Sequence, residues 1–298
     1  MKELYQKIKE HIENADAILI GASNGLSISE GYNIFADDNW FQENFSDFRS
    51  SYGIHSILEG SFYHFPSVEA KWAFSSRLIS RKCYQEEPSQ MMKDLHALVS
   101  SRDCFVVTSN TEDHFIPAGF SREQVFEMEG RMTQSRCASD CCEDVYENRE
   151  DVLRMAKAEK NGLVPSELIP RCPRCGSPVT VNFADSQLFF QTRQFQNKMQ
   201  DYQNFVRKYR GKNLVILEFG VGWRNRMIKE PLMQLTASEP NGVYITFNKG
   251  EIYIPNEISD RSIGVDGDIT EALREILISS SENCCRPQTP PPHPSDTL

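Results

Sequence analysis

Residues 17–27 read Ala17-Ile18-Leu19-Ile20-Gly21-Ala22-Ser23-Asn24-Gly25-Leu26-Ser27. Four consecutive apolar residues running into a turn of glycine and serine describe a strand buried on both faces that ends in a tight loop. Such a loop, where it opens a helix, can wrap backbone N–H groups around a phosphate. Upstream, residues 2–14 carry Leu4, Ile8 and Ile12 at helical spacing and read as an amphipathic helix. Further apolar runs at 104–108, 125–128, 214–219 and 243–247 read as buried strands, with helical patterns at 88–100 and 269–278 between and after them. Buried strands separated by helices predict an α/β protein, a doubly wound parallel sheet.

Two stretches break that rhythm. Residues 35–80 are rich in Phe, Tyr and Trp and read as helices with loops. Residues 136–210 hold four spaced cysteines and a long polar helix over about 187–209. Both are expected to build a second, smaller lobe inserted into the sheet domain. The resulting division is a sheet domain of residues 1–35, 86–135 and 211–278, an aromatic-rich helical insert at 36–85, a zinc module with its helix at 136–210, and a Ser- and Pro-rich disordered tail at 279–298.

The 298 residues carry 32 basic and 42 acidic side chains, a formal charge of −10. A nucleic-acid partner is not expected, because phosphate backbones require clustered Lys and Arg. An anionic membrane surface is disfavoured for the same reason. No apolar run approaches the roughly 20 residues that span a bilayer, and the first residues lack the apolar core of a signal peptide. An intracellular setting is expected, the cytoplasm first, with mitochondria compatible. In a reducing compartment, clustered cysteines point to metal rather than to disulfides.

Cys137 and Cys141 are separated by three residues, and Cys172-Pro173-Arg174-Cys175-Gly176 forms a knuckle. Two close thiolate pairs can close a tetrahedral sulfur site around a structural zinc, leaving no position open for catalysis. Cys142 competes with Cys141, and the tighter pair favours Cys141. A helix expected at 143–160 fills the interval between the pairs. No role is assigned to Cys284 and Cys285.

Other turns fall at strand ends, where open α/β sheets bind ligands. Gly220-Val221-Gly222 follows the run at 214–219, Asn248 closes the next strand, and Gly267-Asp268 precedes the last helix with Asp268 as a natural N-cap.

Taken in order, these motifs resemble the sirtuin family of NAD-dependent enzymes, from about residue 15 to residue 278. The phosphate loop matches Gly21 to Ser27, followed by Gly31-Tyr32. A Thr-Gln-Asn-Ile-Asp motif matches Thr108-Ser109-Asn110-Thr111-Glu112, with Ala118-Gly119 beyond it. The cysteine pairs, the late glycine turn, Asn248 and Gly267-Asp268 complete the set. The resemblance implies a Rossmann-like NAD-binding domain and a small four-cysteine zinc lobe, with an NAD cleft between them. It places phosphates at Gly21, Ala22, Ser23, Gly25 and Ser27, and the nicotinamide end under Phe35. The ribose falls to Asn110 and Glu112, the adenosine half to Gly220, Val221, Gly222 and Asn248, and the adenine to Asp268 and Ile269.

The departures are informative. Deacylases of the family carry a His-Gly pair before the first cysteines, the histidine being the catalytic base. This chain carries Glu129-Gly130. Residues 31–35 read Gly-Tyr-Asn-Ile-Phe in place of a Pro-Asp-Phe-Arg stretch. These changes, the aromatic insert and the insertion between the cysteine pairs resemble the macrodomain-linked sirtuin subclass, which commonly carries Gln at the histidine position. That subclass is associated with mono-ADP-ribosylation of a lipoyl-carrier, glycine-cleavage-H-like protein. It implies such an acceptor as partner and a macrodomain hydrolase in the same pathway. A solvated Glu is a weaker base than His by about two pKa units, but it suits hydrogen bonding to hydroxyls and stabilising a cationic ribose. The expected activity is therefore NAD-dependent ADP-ribosyl transfer with Asn110 and Glu129 catalytic. Deacylation, NAD hydrolysis and a catalytically silent NAD or ADP-ribose sensor are the alternatives, and His114 is the substitute base if deacylation occurs.

Overall fold

The computed structural model describes residues 1–279; the tail expected at 279–298, with Cys284 and Cys285, lies outside the described residues apart from Ser279. Nine strands are present among the described residues: β1 (Ala17–Ala22), β2 (Asp103–Thr108), β3 (Val125–Glu127), β4 (Gly130–Cys137), β5 (Val145–Glu147), β6 (Val179–Phe183), β7 (Leu214–Phe219), β8 (Val243–Asn248) and β9 (Ser262–Asp266). Six of them form one sheet in the order β3-β2-β1-β7-β8-β9, and every pair in it is parallel. The topology reverses at β1, a central strand, which is where ligands bind such sheets.

The run at 17–22 is apolar throughout because both faces are covered. Ile18, Ile20 and Ala22 face a core shared with α1 (Lys2–Glu13), α6 (Gln90–Val99) and α11 (Ile269–Ile278). Ala17 and Leu19 face a second core under α9 (Arg193–Lys208) and α10 (Arg226–Ser238). β2 and β7 alternate in the same way, with Val106 and Leu217 on the first face and Phe105 and Ile216 on the other. The helix expected at 2–14 is α1, burying Tyr5, Ile8 and Ile12.

The second face holds a buried charge pair. Glu218, in the middle of β7, accepts from Lys229 of α10 at 2.5 Å, from the Tyr244 hydroxyl at 2.6 Å and from Thr246 at 2.8 Å. Four groups satisfy one another in a site closed to water, which is the condition for burying ions without a large penalty.

A third core belongs to the small lobe. Phe41, Phe45 and Phe48 of α3 (Asn39–Tyr52), and Trp72 and Phe74 of α5 (Val68–Ile79), pack with Met132, Val179 and Val181 of β4 and β6 and with Val152 and Met155 of α7 (Arg149–Ala158). Trp72 Nε1 donates to the Val179 carbonyl at 3.1 Å. The aromatic segment and the cysteine segment therefore share one interior, and the aromatics are its filling. Their sheet has the order β5-β4-β6, antiparallel. Among the described residues no helix is long and apolar enough to cross a membrane.

Three expectations need correction. The helix at 143–160 is shorter, because 145–147 pair with the edge of β4 as β5 and the helix starts after Asn148. The helix at 187–209 is two, α8 (Gln187–Gln191) and α9, parted by Thr192 in extended backbone whose hydroxyl accepts from Phe195 N at 3.3 Å. α9 also lies on the sheet, with Phe205 buried there rather than in the zinc lobe, because the β2 and β1 face would otherwise be bare. The strand β9 goes beyond the sequence reading, since a short edge strand with Gly264 at its centre carries little apolar signal.

Candidate active site

At the carboxyl ends of β1 and β7 two turns interlock. After Ala22 the chain is extended at Ser23, then coils into α2 (Asn24–Ser29). Gly25 N donates to the Gly220 carbonyl at 3.0 Å, and a Cβ on Gly25 would stand 2.5 Å from Gly220 Cα. Gly220 itself has φ +60 and is pressed against the Gly25 backbone from the other side. Glycine is required on both turns by this contact.

Gly21 and Ala22 are still inside β1. A Cβ on Gly21 would run into the Leu232 side chain, so that glycine lets α10 approach the sheet. Beyond them, the N–H groups of Ser23, Gly25 and Leu26 are bonded to the Phe219, Gly220 and Ser23 carbonyls at 3.2, 3.0 and 2.9 Å, and Asn24 is the residue of this stretch that faces the cavity described below. Ser23 Oγ lies 3.0 Å from Ser109 Oγ and accepts from Asn225 Nδ2 at 3.0 Å; Asn225 also donates to Ser109 at 2.8 Å. Asn225 is a site residue that sequence reasoning misses. Its one signal is its place before α10, just past the Gly220-Val221-Gly222 turn.

Asn248 spends its amide on its own surroundings, donating to the Val221 and Glu251 carbonyls at 3.4 and 3.3 Å. It braces the turn at 220–222 rather than projecting from it. Asp268 caps α11 through Glu271 N at 3.0 Å, while Ile269 is buried in the sheet core. Thr270 ties α11 to α2 through the Ser29 carbonyl at 3.3 Å.

Between the lobes lies a cavity of about 260 Å³, with Asn24, Phe35, Ser109, Glu112, Glu129 and Met227 among its walls. Phe35 is half-exposed there, held by its backbone N–H to Asn33 Oδ1 at 3.1 Å. Glu129 stands at the junction of β3 and β4, fixed by Met128 N to the Thr108 carbonyl at 2.8 Å and Ala184 N to its own carbonyl at 3.0 Å. Gly130 beside it has φ +91, and a Cβ there would collide with the Asn182 carbonyl. Glu129 is exposed overall, and the protein that covers part of its carboxyl raises its pKa.

Asn110 is buried at the end of β2. Thr108 Oγ1 holds its backbone N–H at 3.0 Å and itself donates to the Ala22 carbonyl at 3.2 Å. Its Nδ2 donates to Ser27 Oγ at 2.7 Å, and Ser27 in turn donates to Glu112. The Asn110 Oδ1 is buried with no partner. An orphaned acceptor costs about 1–3 kcal/mol, which a ligand hydroxyl would recover. Asn110, Ser27 and Glu112 are thus brought together, and Glu112 and Glu129 meet at one cavity. Asn110 and Ser27 are not among its walls but lie beneath Ser109, Thr111 and Glu112, which are, and His114 does not line it either. It is buried behind Asn110 and hydrogen-bonded to Glu30. Glu127, which the sequence does not mark, is buried with Asp113 nearby, and its carboxyl is pushed up to about 7 despite its bond to Arg122 at 2.6 Å.

In the small lobe the sulfurs of Cys137, Cys141, Cys172 and Cys175 all lie within 4.8 Å of one another. Cys137–Cys175 and Cys141–Cys172 are 3.5 and 3.6 Å apart. A tetrahedral zinc with bonds of about 2.3 Å requires sulfur–sulfur edges of about 3.8 Å, so the donor set fits that ion. Zinc would be held by four closed ligands and would join β4 to the knuckle before β6. Cys142 packs against the lobe's core instead.

No family model matches the sequence. A protein ADP-ribosyltransferase of Staphylococcus aureus is 30% identical over 276 residues, covering 92% of this chain and 87% of that protein. A probable bifunctional ADP-ribose hydrolase/ADP-ribosyltransferase of Fusarium oxysporum is 27% identical over 90% of this chain, which spans 47% of that longer protein. Among solved structures, a Sir2 homologue in complex with NAD superposes with a TM-score of 0.60 at 16% identity, over 93% of this chain and 94% of the other. A Sir2 enzyme from a study of mechanism and regulation gives 0.56 at 18%, over 95% of this chain and 100% of the other. The structural likeness establishes the fold, the sequence likeness the kinship: this chain belongs to the family of sirtuin-fold, NAD-dependent enzymes that includes the staphylococcal protein ADP-ribosyltransferase.

Proposed function

We propose that the protein transfers ADP-ribose from NAD to a side chain of an acceptor protein and releases nicotinamide, as a member of the macrodomain-linked sirtuin subclass. The observation that carries this reading is the make-up of the cavity. Among its described walls the ionisable groups are Glu112 and Glu129, with neither histidine nor lysine. Deacylation needs a base to deprotonate a ribose hydroxyl near neutrality, which the missing histidine would supply. A carboxylate at that place stabilises positive charge growing at the anomeric carbon and accepts the proton of an incoming nucleophile.

In the transfer, the acceptor's lone pair forms the new bond to the anomeric carbon. The bond to nicotinamide breaks with its electron pair leaving on nicotinamide, and the acceptor's proton goes to Glu129. The raised pKa of Glu129 makes it a stronger base than a solvated Glu. Asn110 Oδ1 accepts a ribose hydroxyl and Ser23 to Ser27 hold the pyrophosphate. The name of the staphylococcal relative supports the transferase reading, and that of the Fusarium relative supports pairing with a hydrolase that reverses the modification. The proposed acceptor is a lipoyl-carrier protein of the glycine-cleavage-H type.

The test is mass spectrometry after incubation with NAD and a lipoyl-carrier protein, beside an acetyl-lysine peptide. An ADP-ribosyl adduct on the carrier with the peptide unchanged is the expected result. Loss of acetyl from the peptide would replace transfer by deacylation. Free ADP-ribose alone would mean hydrolysis, and intact, bound NAD would mean a sensor.

A further inference from the structure

Behind the cavity runs a continuous buried chain of polar groups. Ser89 Oγ donates to Glu30 Oε1 at 2.6 Å, and His114 Nδ1 bonds Glu30 Oε2. His114 Nε2 lies 3.5 Å from Asn110 Nδ2, which also donates to Ser27; Ser27 donates to Glu112, and Glu112 accepts from Thr111 N at 3.0 Å. The directions in this chain are forced. A carboxylate can only accept, and both Glu30 and Glu112 stand here as acceptors. Ser27, having given its proton to Glu112, must accept from Asn110, and His114, having given its Nδ1 proton to Glu30, offers Nε2 as an acceptor when neutral. Both protons of the Asn110 amide therefore point inward, and Oδ1 is left over.

We propose that His114 is a positioning residue for the proposed reaction. Its neutral imidazole holds the Asn110 amide so that Oδ1 is free for a ribose hydroxyl, and its protonated form, which brings an N–H against the amide, turns that group and withdraws the acceptor. A proton-controlled setting of the ribose site is thereby built by His114 and Glu30, neither of which lines the cavity. The inference rests on the reading of Asn110 as a ribose ligand.

The groups around His114 bear on its protonation. Burial opposes its charge, but the carboxylates Glu112 and Glu30 outweigh burial and raise its pKa, with Lys82 acting the other way. Tyr32, Cys83, Asp113 and Glu86 complete the ionisable surroundings: Glu112 acts on Tyr32 and Cys83, Asp113 on Cys83, and Glu86 on Lys82. Tyr32 and Cys83 are themselves pushed far up by burial and stay neutral.

The experiment follows the Asn110 side-chain amide and the His114 ring nitrogens by NMR in the full chain without NAD, on both sides of the ordinary histidine pKa of about 6.5. Nicotinamide release is measured over the same range. The Asn110 signals should move along the His114 titration curve, and kcat should fall on the acid side with the same midpoint while KM for NAD changes less. His114→Gln, which cannot take up a proton, should lose the part of the acid limb that follows the His114 titration, keeping any limb that belongs to Glu129. Glu30→Gln removes one carboxylate and should move the midpoint to lower pH. Asn110 signals that stay flat through the His114 titration, or a limb at the His114 midpoint that persists unchanged in His114→Gln, would overturn the proposal. If the wild-type chain releases no nicotinamide, the reading of function fails, and the NMR coupling decides the positioning role by itself.

Discussion

Single side chains set the chemistry here, and Glu129 is the sharpest case. Its carboxyl sits at the cavity wall with its pKa raised by desolvation. Glu129→Gln keeps the shape and removes the charge, so transfer should drop by about 10²–10⁴-fold, the usual worth of a placed acid or base, with NAD binding retained by calorimetry. Since the ionised form acts, activity should also fail as pH drops through a value above the ordinary carboxylate pKa, a limb that Glu129→Gln lacks. Gly25 and Gly220 are constrained differently. Gly25→Ala places a methyl 2.5 Å from Gly220 Cα and forces the two turns apart. The expected cost is about 1–3 kcal/mol in denaturant unfolding, with at least about tenfold weaker NAD binding. An alanine variant with wild-type affinity would show that the paired turns do not hold the dinucleotide.

Among the elements, β4 and β6 with the knuckle before β6 carry the four sulfurs, and α3, α5 and α7 pack over them. Zinc should be found at one ion per chain by elemental analysis, and Cys172→Ser should abolish it. Because the sheet has cores of its own, loss of zinc should loosen the small lobe and lower Tm while the sheet's amides stay protected. β7 and α10 depend on Glu218 and Lys229, buried with side chains only 0% and 1% exposed. Glu218→Ala leaves an uncompensated ammonium and should cost about 3–5 kcal/mol. The segment joining β2 to β3 gives a pH signature. His114 has a folded pKa above its unfolded one, so its stabilising contribution is complete below about pH 6.5 and disappears as pH rises through the folded value. Stability and the proposed activity should therefore move in opposite directions across that interval, and the stability slope should vanish in His114→Gln.

For the molecule as a whole, the sheet was legible because parallel strands covered on both faces are apolar without alternation, as at 17–20 and 214–217. The cysteine lobe was legible from spacing alone. What escaped depends on partners far along the chain. β5 forms because β4 offers an edge, and α9 covers the sheet because that face would be wet; neither fact is local. At the site, Asn110 and Glu129 were visible in the sequence by position. The pairing of His114 with Glu30, and the bridging by Asn225, arise only when segments more than eighty residues apart converge. Amides of the interior strands β2, β1, β7 and β8 should exchange slowest, since both edges of each are bonded, those of β1 to β2 and to β7. That central placement also bears on biosynthesis. Residues 17–22 leave the ribosome well ahead of their partners at 214–219, with the whole interval between them still to be made. For that interval the oiliest ribbon of the protein has a bare side, in a topology whose long-range pairing closes slowly. The nascent chain should therefore lean on holding chaperones until β7 arrives, and slowing translation before residue 214 should increase aggregation more than slowing it afterwards.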